Sequence, residues 1–319
     1  MIRGKVDYID SKTYEIERRT EDLPFTVTDG VGMILPSIAS TNFIVRLPFI
    51  KGLLAVFDFV RFIREHNCSP VVTDIYGVEH DIFKENIQII FTKSQFKMHK
   101  YYRDWNYYKE SFKNHHCTAG ICNSMYSEEC GDTENSTINY QMIQTLYDLS
   151  NAELMQLAFN NIEDIRSIAN TTEGKLKVFG ATPWNRRKSG FQKCLMEYPP
   201  LLSDRYTRKT LRDIKAKLEK DLWSAKFKIN AKYAFAVPDL YAYCEHLFLH
   251  EEHPKGLLKN GEVCCRLYNN REKLDCLRSP HLYIEHPIRI NNLNNDWFIT
   301  DAIYLSSHDM ISRIIQCDK

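Results

Sequence analysis

Cationic and ionisable side chains crowd one short stretch of the chain, LRSPHLYIEHPIR at residues 277–289. Two prolines in this stretch prevent a regular helix, so the pattern predicts an extended loop. The loop carries Arg278, His281, His286 and Arg289. Such a set suits the binding of an anion such as a phosphate, and an ordinary surface loop is the alternative interpretation.

A second candidate for phosphate chemistry is the stretch 84–113, which contains Lys93 and Lys97. It holds seven Lys and Arg against three Asp and Glu, with eight aromatic residues among them. Cations neutralise phosphates and release counterions, while aromatic rings stack on bases, so this composition is typical of nucleic-acid binding. Residues 171–232 are also basic, with sixteen Lys and Arg against six Asp and Glu. The alternative is a solvated basic face with the aromatic rings in the core.

Thiol and imidazole groups lie close together between residues 115 and 130. The residues are His115, His116, Cys117, Cys122 and Cys130. Thiolate and imidazole are zinc ligands, but this spacing fits no standard zinc motif. We therefore favour free thiols that are buried in the fold, and a structural zinc site is the alternative.

The bulk composition indicates a folded protein. The chain has 319 residues, of which 44% are hydrophobic, 12% aromatic and 26% charged, and this excludes global disorder. A net charge of +1 by itself favours no class of partner. Ten irregularly spaced cysteines without a signal peptide indicate reduced thiols and a cytoplasmic location. No apolar run approaches the roughly 18 residues of a membrane span, so we expect no membrane partner.

Helical elements are predicted in the middle of the sequence. Apolar residues recur at helical spacing between 139 and 170 and again over about 204–226. Within the first stretch, Ser150 and Glu153 match the S-x-x-E capping box that opens a helix. A further short helix is predicted at 238–250.

Strands are predicted on either side of these helices. Short apolar runs bounded by Gly, Pro or Asp lie at 52–59, 87–92, 261–268 and 297–305. The sequence therefore predicts an α+β protein in three segments. They are a β region with the basic and aromatic block at 1–110, a helical connector at 111–230, and a second β region at 231–319.

Six motifs in order give the chain a family resemblance. They are DGVGMILPSIA (29–39), FIKGLLAVF (49–57), FTKSQFKMHKY (91–101), INYQMIQTLYDLSNAEL (138–154), LRSPHLYIEHPIR (277–289) and the terminal IIQCDK (314–319). This series resembles the RNA-silencing type of cellular RNA-dependent RNA polymerases and the related single-chain polymerases of phages and mobile elements. The resemblance covers roughly residues 24–319.

The resemblance implies a fold and a metal site. Such polymerases carry two double-psi β-barrels joined by a helical connector, so the second barrel is expected to be incomplete here. Their D-x-D-G-D motif holds Mg²⁺ through three carboxylates. Asp318 matches the first aspartate, which makes it the expected catalytic residue and metal ligand. We expect the chain to stop inside this motif, to bind Mg²⁺ no better than weakly, and to be inactive by itself.

The resemblance also implies partners and residue roles. Lys51 is expected to contact a nucleotide or template phosphate from the first barrel, as are Lys93 and Lys97. The family's template and nucleoside triphosphates are the expected partners. The implied function is therefore the front part of a nucleic-acid-templated RNA polymerase. The alternative is a non-enzymatic cytoplasmic protein that binds single-stranded nucleic acid.

The loop at 277–289 is expected to line the entrance to the catalytic cleft. The resemblance assigns Arg278, His281 and Arg289 to the binding of nucleoside triphosphate or nucleic acid near Asp318. The sequence EHPIR at 285–289 departs from the family pattern, in which Gly-Asp is more common, and this leaves the roles of His286 and Arg289 open.

Overall fold

The computed structural model describes residues 2–23, 30–123, 136–144, 146, 148–185, 188–278 and 286–309. Sixteen strands lie in these residues. In chain order they are β1 Ile2–Ile9, β2 Ile16–Leu23, β3 Val31–Ile34, β4 Phe43–Leu47, β5 Ile50–Val56, β6 Val71–Thr73, β7 Glu79–Asp81, β8 Ile89–Ile90, β9 Gly120–Asn123, β10 Ser136–Thr137, β11 Lys228–Ile229, β12 Ala236–Pro238, β13 Glu262–Cys265, β14 Lys273–Asp275, β15 Ile288–Asn291 and β16 Ile303–Leu305.

Eight α-helices accompany the strands in the same described residues. They are α1 Phe59–His66, α2 Trp105–Asn114, α3 Tyr140–Ile143, α4 Asn151–Asn170, α5 Thr172–Val178, α6 Gly190–Glu197, α7 Arg205–Trp223 and α8 Leu240–Phe248. Two short 3-10 helices lie at His99–Tyr101 and Pro199–Ser203. None of the helices in the described part of the chain has the length and apolar character of a membrane-spanning segment.

The chain divides into two compact units. The first combines residues 1–123 with 235–275 and 287–319, and the second combines 124–234 with 276–286. The first unit therefore draws its residues from both ends of the sequence. The predicted segments 1–110, 111–230 and 231–319 stay a prediction about domains.

Two five-stranded mixed sheets lie in the first unit. One has the order β8-β3-β5-β4-β9, and only β3 and β5 are parallel in it. All four residues of β3 are buried, as expected for a strand inside a sheet that is covered on both faces. The other has the order β12-β16-β13-β15-β14, with two parallel pairs, β12 with β16 and β13 with β15.

One hydrophobic core in this unit contains side chains of both sheets and of helices α1 and α8. Met33, Phe57, Phe62, Phe298 and Tyr304 are all fully buried members of it. Side chains from sequence positions more than 200 residues apart thus pack in a single core. This packing explains why the short strands persist, since isolated short strands bury too little surface to be stable.

A chain of buried polar groups accompanies that core. Asn42 donates to the Thr300 hydroxyl at 2.8 Å and accepts from the Val56 amide at 2.8 Å. The Thr300 and Tyr304 hydroxyls are 2.7 Å apart. Burial raises the pKa of Tyr304 to about 12, so its phenol stays protonated at neutral pH.

The α+β class predicted from the sequence is confirmed, but the double-psi β-barrels are not. The described strands form two five-stranded sheets and three two-stranded ribbons, and none of these sheets closes on itself within the described residues. Predicted strand lengths were also too long at 297–305, where only Ile303–Leu305 is a strand. Its first part turns instead, because the Phe298 amide donates to the Asn294 carbonyl.

Helices dominate the second unit. The predicted capping box is confirmed, with Ser150 and Glu153 hydrogen bonded to each other's backbone amides at the start of α4. The helix predicted at 204–226 is α7, and Asp204 caps it by accepting from the amides of Tyr206 and Thr207. A small core of Phe179, Ala181 and Leu195 packs against α7 in this unit.

Candidate nucleic-acid interface

The β4–β5 hairpin places two exposed cations side by side. In its antiparallel register Arg46 lies directly opposite Lys51, and both side chains are exposed. Directly opposed residues of such a pair point to the same face of the sheet. Two like charges in this position repel each other, so the pair lowers stability rather than raising it.

The turn of this hairpin presents an exposed aromatic ring on a strained backbone. Pro48 and Phe49 form the two-residue connection, and Phe49 has φ of +65° with 52% of its surface exposed. Proline followed by a positive φ is the pattern of a type II turn, in which glycine usually takes the second place. Tyr108 of α2 holds the turn by donating its hydroxyl to the Pro48 carbonyl at 2.9 Å.

The segment with Lys93 and Lys97 is hydrogen bonded to the same hairpin. The Lys51 amide donates to the Gln95 carbonyl at 3.1 Å, and Ile50 forms an antiparallel bridge with Phe96. Both lysine side chains are exposed. The structure therefore brings the three predicted residues Lys51, Lys93 and Lys97 into one local region. We call Arg46, Phe49, Lys51, Lys93 and Lys97 the hairpin patch.

The four cations of the hairpin patch have no acidic neighbour in ion-pairing range among the described residues. By contrast, Lys84 and Arg103 in the same basic block pair with Asp81 and Asp104. Exposed charges without local neutralisation generate a positive potential that attracts anions.

A buried glutamine fixes this arrangement. The Gln95 side chain donates to the Leu53 carbonyl at 2.9 Å and accepts from the Thr92 amide at 3.0 Å. Two glycines leave room for it. A Cβ at Gly32 would lie 2.5 Å from Gln95 Oε1, and a Cβ at Gly52 would lie 2.7 Å from Gln95 Nε2. Gly32 of the DGVGMILPSIA motif, Gly52 of the FIKGLLAVF motif and Gln95 of the FTKSQFKMHKY motif thus serve one close contact.

Most aromatic residues of the 84–113 block belong to the core. Phe96 and Tyr108 are buried, and Phe91, Tyr102, Trp105 and Phe112 pack against them. Burial raises the pKa of Tyr108 to about 12. Among the eight rings only those of Tyr101 and Tyr107 are exposed. The alternative weighed for this block, with its rings in the core, is therefore correct for six of the eight aromatic residues.

The cations of the 277–289 loop are distributed differently. Arg278 belongs to the second unit and is half-buried. Arg289 lies in β15 of the first unit, where its guanidinium forms a two-pronged ion pair with Asp309, including a contact of 2.9 Å from Nη2 to Oδ1. Only 13% of the Arg289 side chain and 3% of the Asp309 side chain are exposed. This buried pair gives Arg289 a structural role, while its contact with a nucleotide stays a prediction.

Two predicted site residues lie outside the described residues. They are His281 and Asp318. Of the candidate zinc cluster, Cys130 also lies outside. The described members include a half-buried Cys117 and an exposed Cys122, so the prediction of buried thiols is wrong for Cys122. No group of three or more His, Cys, Asp or Glu side chains suited to a metal ion occurs within the described ranges.

Sequence reasoning missed Arg46 and Phe49. A usable signal was present in RLPFIKG at 46–52, where two cations flank a Pro-aromatic turn at equal distances. Cations placed symmetrically about a two-residue turn must meet across the hairpin.

One curated protein is similar to nearly the whole chain. It is the DNA-directed RNA polymerase YonO of Bacillus phage SPbeta. The two chains are homologues. They are 46% identical over 321 aligned residues, which cover 99% of this chain and 37% of the relative. No protein-family model matches the chain.

The chain spans little more than a third of the length of this relative. A relationship to a phage RNA polymerase is supported, as the six motifs predict. An RNA template is not supported, because the relative is described as DNA-directed.

Proposed function

We propose that this chain forms part of a DNA-directed RNA polymerase and that the hairpin patch contacts the nucleic acid in that enzyme. One observation assigns this contact to the hairpin patch. The patch combines four exposed cations with the exposed ring of Phe49, and these cations have no carboxylate partner in the described residues. The relative supplies the polymerase class and the DNA template.

The patch has features that lower stability, and this favours a functional explanation. Arg46 and Lys51 repel each other across the hairpin, and a left-handed backbone at Phe49 costs about 1–2 kcal/mol. Strain and unpaired charge of this kind cluster at binding sites. In the proposed complex the cations neutralise phosphates and release counterions, and the phenyl ring stacks on a base or packs behind a ribose.

The polymerase class implies further partners of this protein. Nucleoside triphosphates are the proposed substrates, and Mg²⁺ is the proposed cofactor because it aligns the triphosphate with the RNA 3′ hydroxyl. The resemblance assigns a metal-binding carboxylate to Asp318, which lies outside the described residues. The described residues therefore carry the binding of nucleic acid in this proposal and no chemical step.

The test is a salt titration of nucleic-acid binding by the full chain. Fluorescence anisotropy with a labelled single-stranded oligonucleotide should show affinity that falls steeply with salt, by about 0.7 units of log–log slope per phosphate contact. Lys93→Ala with Lys97→Ala should lower that slope by about 1.4 units. The matched control is Lys109→Ala with Lys113→Ala, which removes the same charge from the exposed positions of α2 in the same block.

Equal affinities for the two double variants would remove the hairpin patch from the proposal. The polymerase class has its own test. A chimera in which this chain replaces the aligned segment of the phage SPbeta enzyme should retain DNA-templated synthesis of RNA. If the chimera folds and binds nucleic acid but incorporates no ribonucleotide, the chain is a nucleic-acid-binding protein without a polymerase role.

A further inference from the structure

A basic groove lies on the surface of the second unit, and none of its described cations belongs to the hairpin patch. Its volume is about 760 Å³. Helices α5 and α7 and the 3-10 helix Pro199–Ser203 supply its walls. The lining includes four cations, Lys175, Arg205, Arg208 and Arg212, and two leucines, Leu202 and Leu211. None of the described lining residues carries a carboxylate.

The charge in this groove is not neutralised nearby. None of its four cations forms an ion pair with a described residue, whereas Lys177 and Lys215 on the same two helices pair with Asp164 and Glu219. The acids adjacent in sequence are Asp204, which caps α7, and Asp213, and neither forms an ion pair with a groove cation.

The spacing of the arginines indicates an extended ligand. Arg205, Arg208 and Arg212 follow each other at intervals of three and four residues, so they share one face of α7. From first to last they span about 10 Å along the helix axis, at a rise of about 1.5 Å per residue. A compact anion could contact only part of such a row. A nucleic-acid strand carries one phosphate per about 3.4 Å of helix axis and supplies several partners over that length.

We propose that this groove binds the phosphodiester backbone of a nucleic acid, as a second contact besides the hairpin patch. Guanidinium groups suit this role because they donate two parallel hydrogen bonds to a phosphate. Leu202 and Leu211 provide an apolar lining that can pack against sugar carbons. The geometry and charge of the groove indicate a binding site for a polyanion. The assignment of nucleic acid as that polyanion rests on the proposed function.

The test compares two double variants of the full chain. Arg208→Gln with Arg212→Gln removes two groove cations, and Lys209→Gln with Lys217→Gln removes two exposed cations of the same helix that do not line the groove. With a labelled single-stranded oligonucleotide at about 0.1 M salt, the groove variant should lose roughly fivefold in affinity per lost contact and about 1.4 units of salt slope. The control should lose far less of either. Circular dichroism should show unchanged helix content in both.

Several results would overturn the groove proposal. One is equal affinity of the two double variants for the oligonucleotide, and another is a wild-type chain that binds no oligonucleotide. A third is displacement of the labelled oligonucleotide from the groove by an acidic peptide or by ATP as effectively as by unlabelled oligonucleotide. The outcome is separable from that of the hairpin patch. Binding that survives the change of Lys93 and Lys97 but falls with Arg208 and Arg212 supports the groove alone, and the reverse supports the hairpin patch alone.

Discussion

Alanine at Gly52 should break the contact between the buried glutamine and the hairpin. The new Cβ would lie 2.3 Å from the Gly30 carbonyl oxygen, 2.7 Å from Gln95 Nε2 and 2.9 Å from Gln95 Cγ. Real Cβ atoms do not approach other atoms so closely, and one of the three is a backbone oxygen that a side-chain rotation cannot move. The strand or the Gln95 segment must therefore shift.

The expected loss of stability follows from two terms. Overpacking of a filled site costs about 1–3 kcal/mol. Displacement of Gln95 breaks its hydrogen bonds with the Leu53 carbonyl and the Thr92 amide, and each such bond contributes about 0.5–1.5 kcal/mol. The sum is about 2–6 kcal/mol, a large part of the 5–15 kcal/mol that usually stabilises a domain.

Urea denaturation followed by circular dichroism measures this loss, and hydrogen exchange of the β3 and β5 amides assigns it to the first unit. The control is Gly120→Ala, because a Cβ at Gly120 meets nothing closer than 3.7 Å. A second variant, Gln95→Ala added to Gly52→Ala, should not restore stability, since the clash with the Gly30 carbonyl persists. If Gly52→Ala unfolds within about 1 kcal/mol of Gly120→Ala, the argument from close packing is wrong.

Three further variants test separate parts of the first unit. Phe49→Gly should change the free energy of unfolding by no more than about 1 kcal/mol, because relief of the left-handed backbone offsets the lost contacts of the ring. The same variant should weaken oligonucleotide binding by about 1–3 kcal/mol, and an unchanged affinity would exclude stacking of the Phe49 ring on a base. His80→Gln should cost more stability at about pH 6 than at about pH 8.5. The hydrogen bond with Glu85 raises the pKa of His80 in the folded protein. Protonated His80 therefore stabilises the fold fully below about pH 6.5, and this contribution is lost as the pH rises through the raised pKa. Equal losses of unfolding free energy in urea titrations at the two pH values would contradict this. Arg289→Met should cost about 3–5 kcal/mol by leaving the buried Asp309 carboxylate without its guanidinium, and Asp309→Leu in the same chain should recover part of that loss in the same denaturation assay.

Local signals in the sequence predicted local structure well. The Ser150–Glu153 capping box marks the start of α4, and helical spacing of apolar residues located α7. The short helix predicted at 238–250 is α8. These signals work because a cap or an amphipathic face depends on residues within one or two turns. The convergence of Lys51, Lys93 and Lys97 followed from the resemblance of whole motifs rather than from any local pattern.

Contacts between residues that are distant in sequence could not be predicted. Nothing near Gln95 in sequence shows that it lies against Gly32 and Gly52, since the three meet only when β3 and β5 pair. For the same reason the loop at 277–289 suggested a cluster of free cations, whereas Arg289 meets Asp309 from a separate part of the chain. Pairing between strands and burial are properties of the assembled fold, and the sequence alone leaves them open.

The first unit is built from segments that are far apart in the sequence, and this affects how it folds during synthesis. Residues 1–123 contain Met33, Phe57 and Phe62, whose final partners include Phe298 and Tyr304 near the other end of the chain. At about 5–20 residues per second, the ribosome needs roughly 10–40 s to add the intervening stretch of about 180 residues. During that time the apolar face of the first sheet lacks its cover and is open to aggregation or to a chaperone. The hairpin patch does not depend on that cover, because the contacts that hold it, from Gln95 and Tyr108, all lie within residues 1–123.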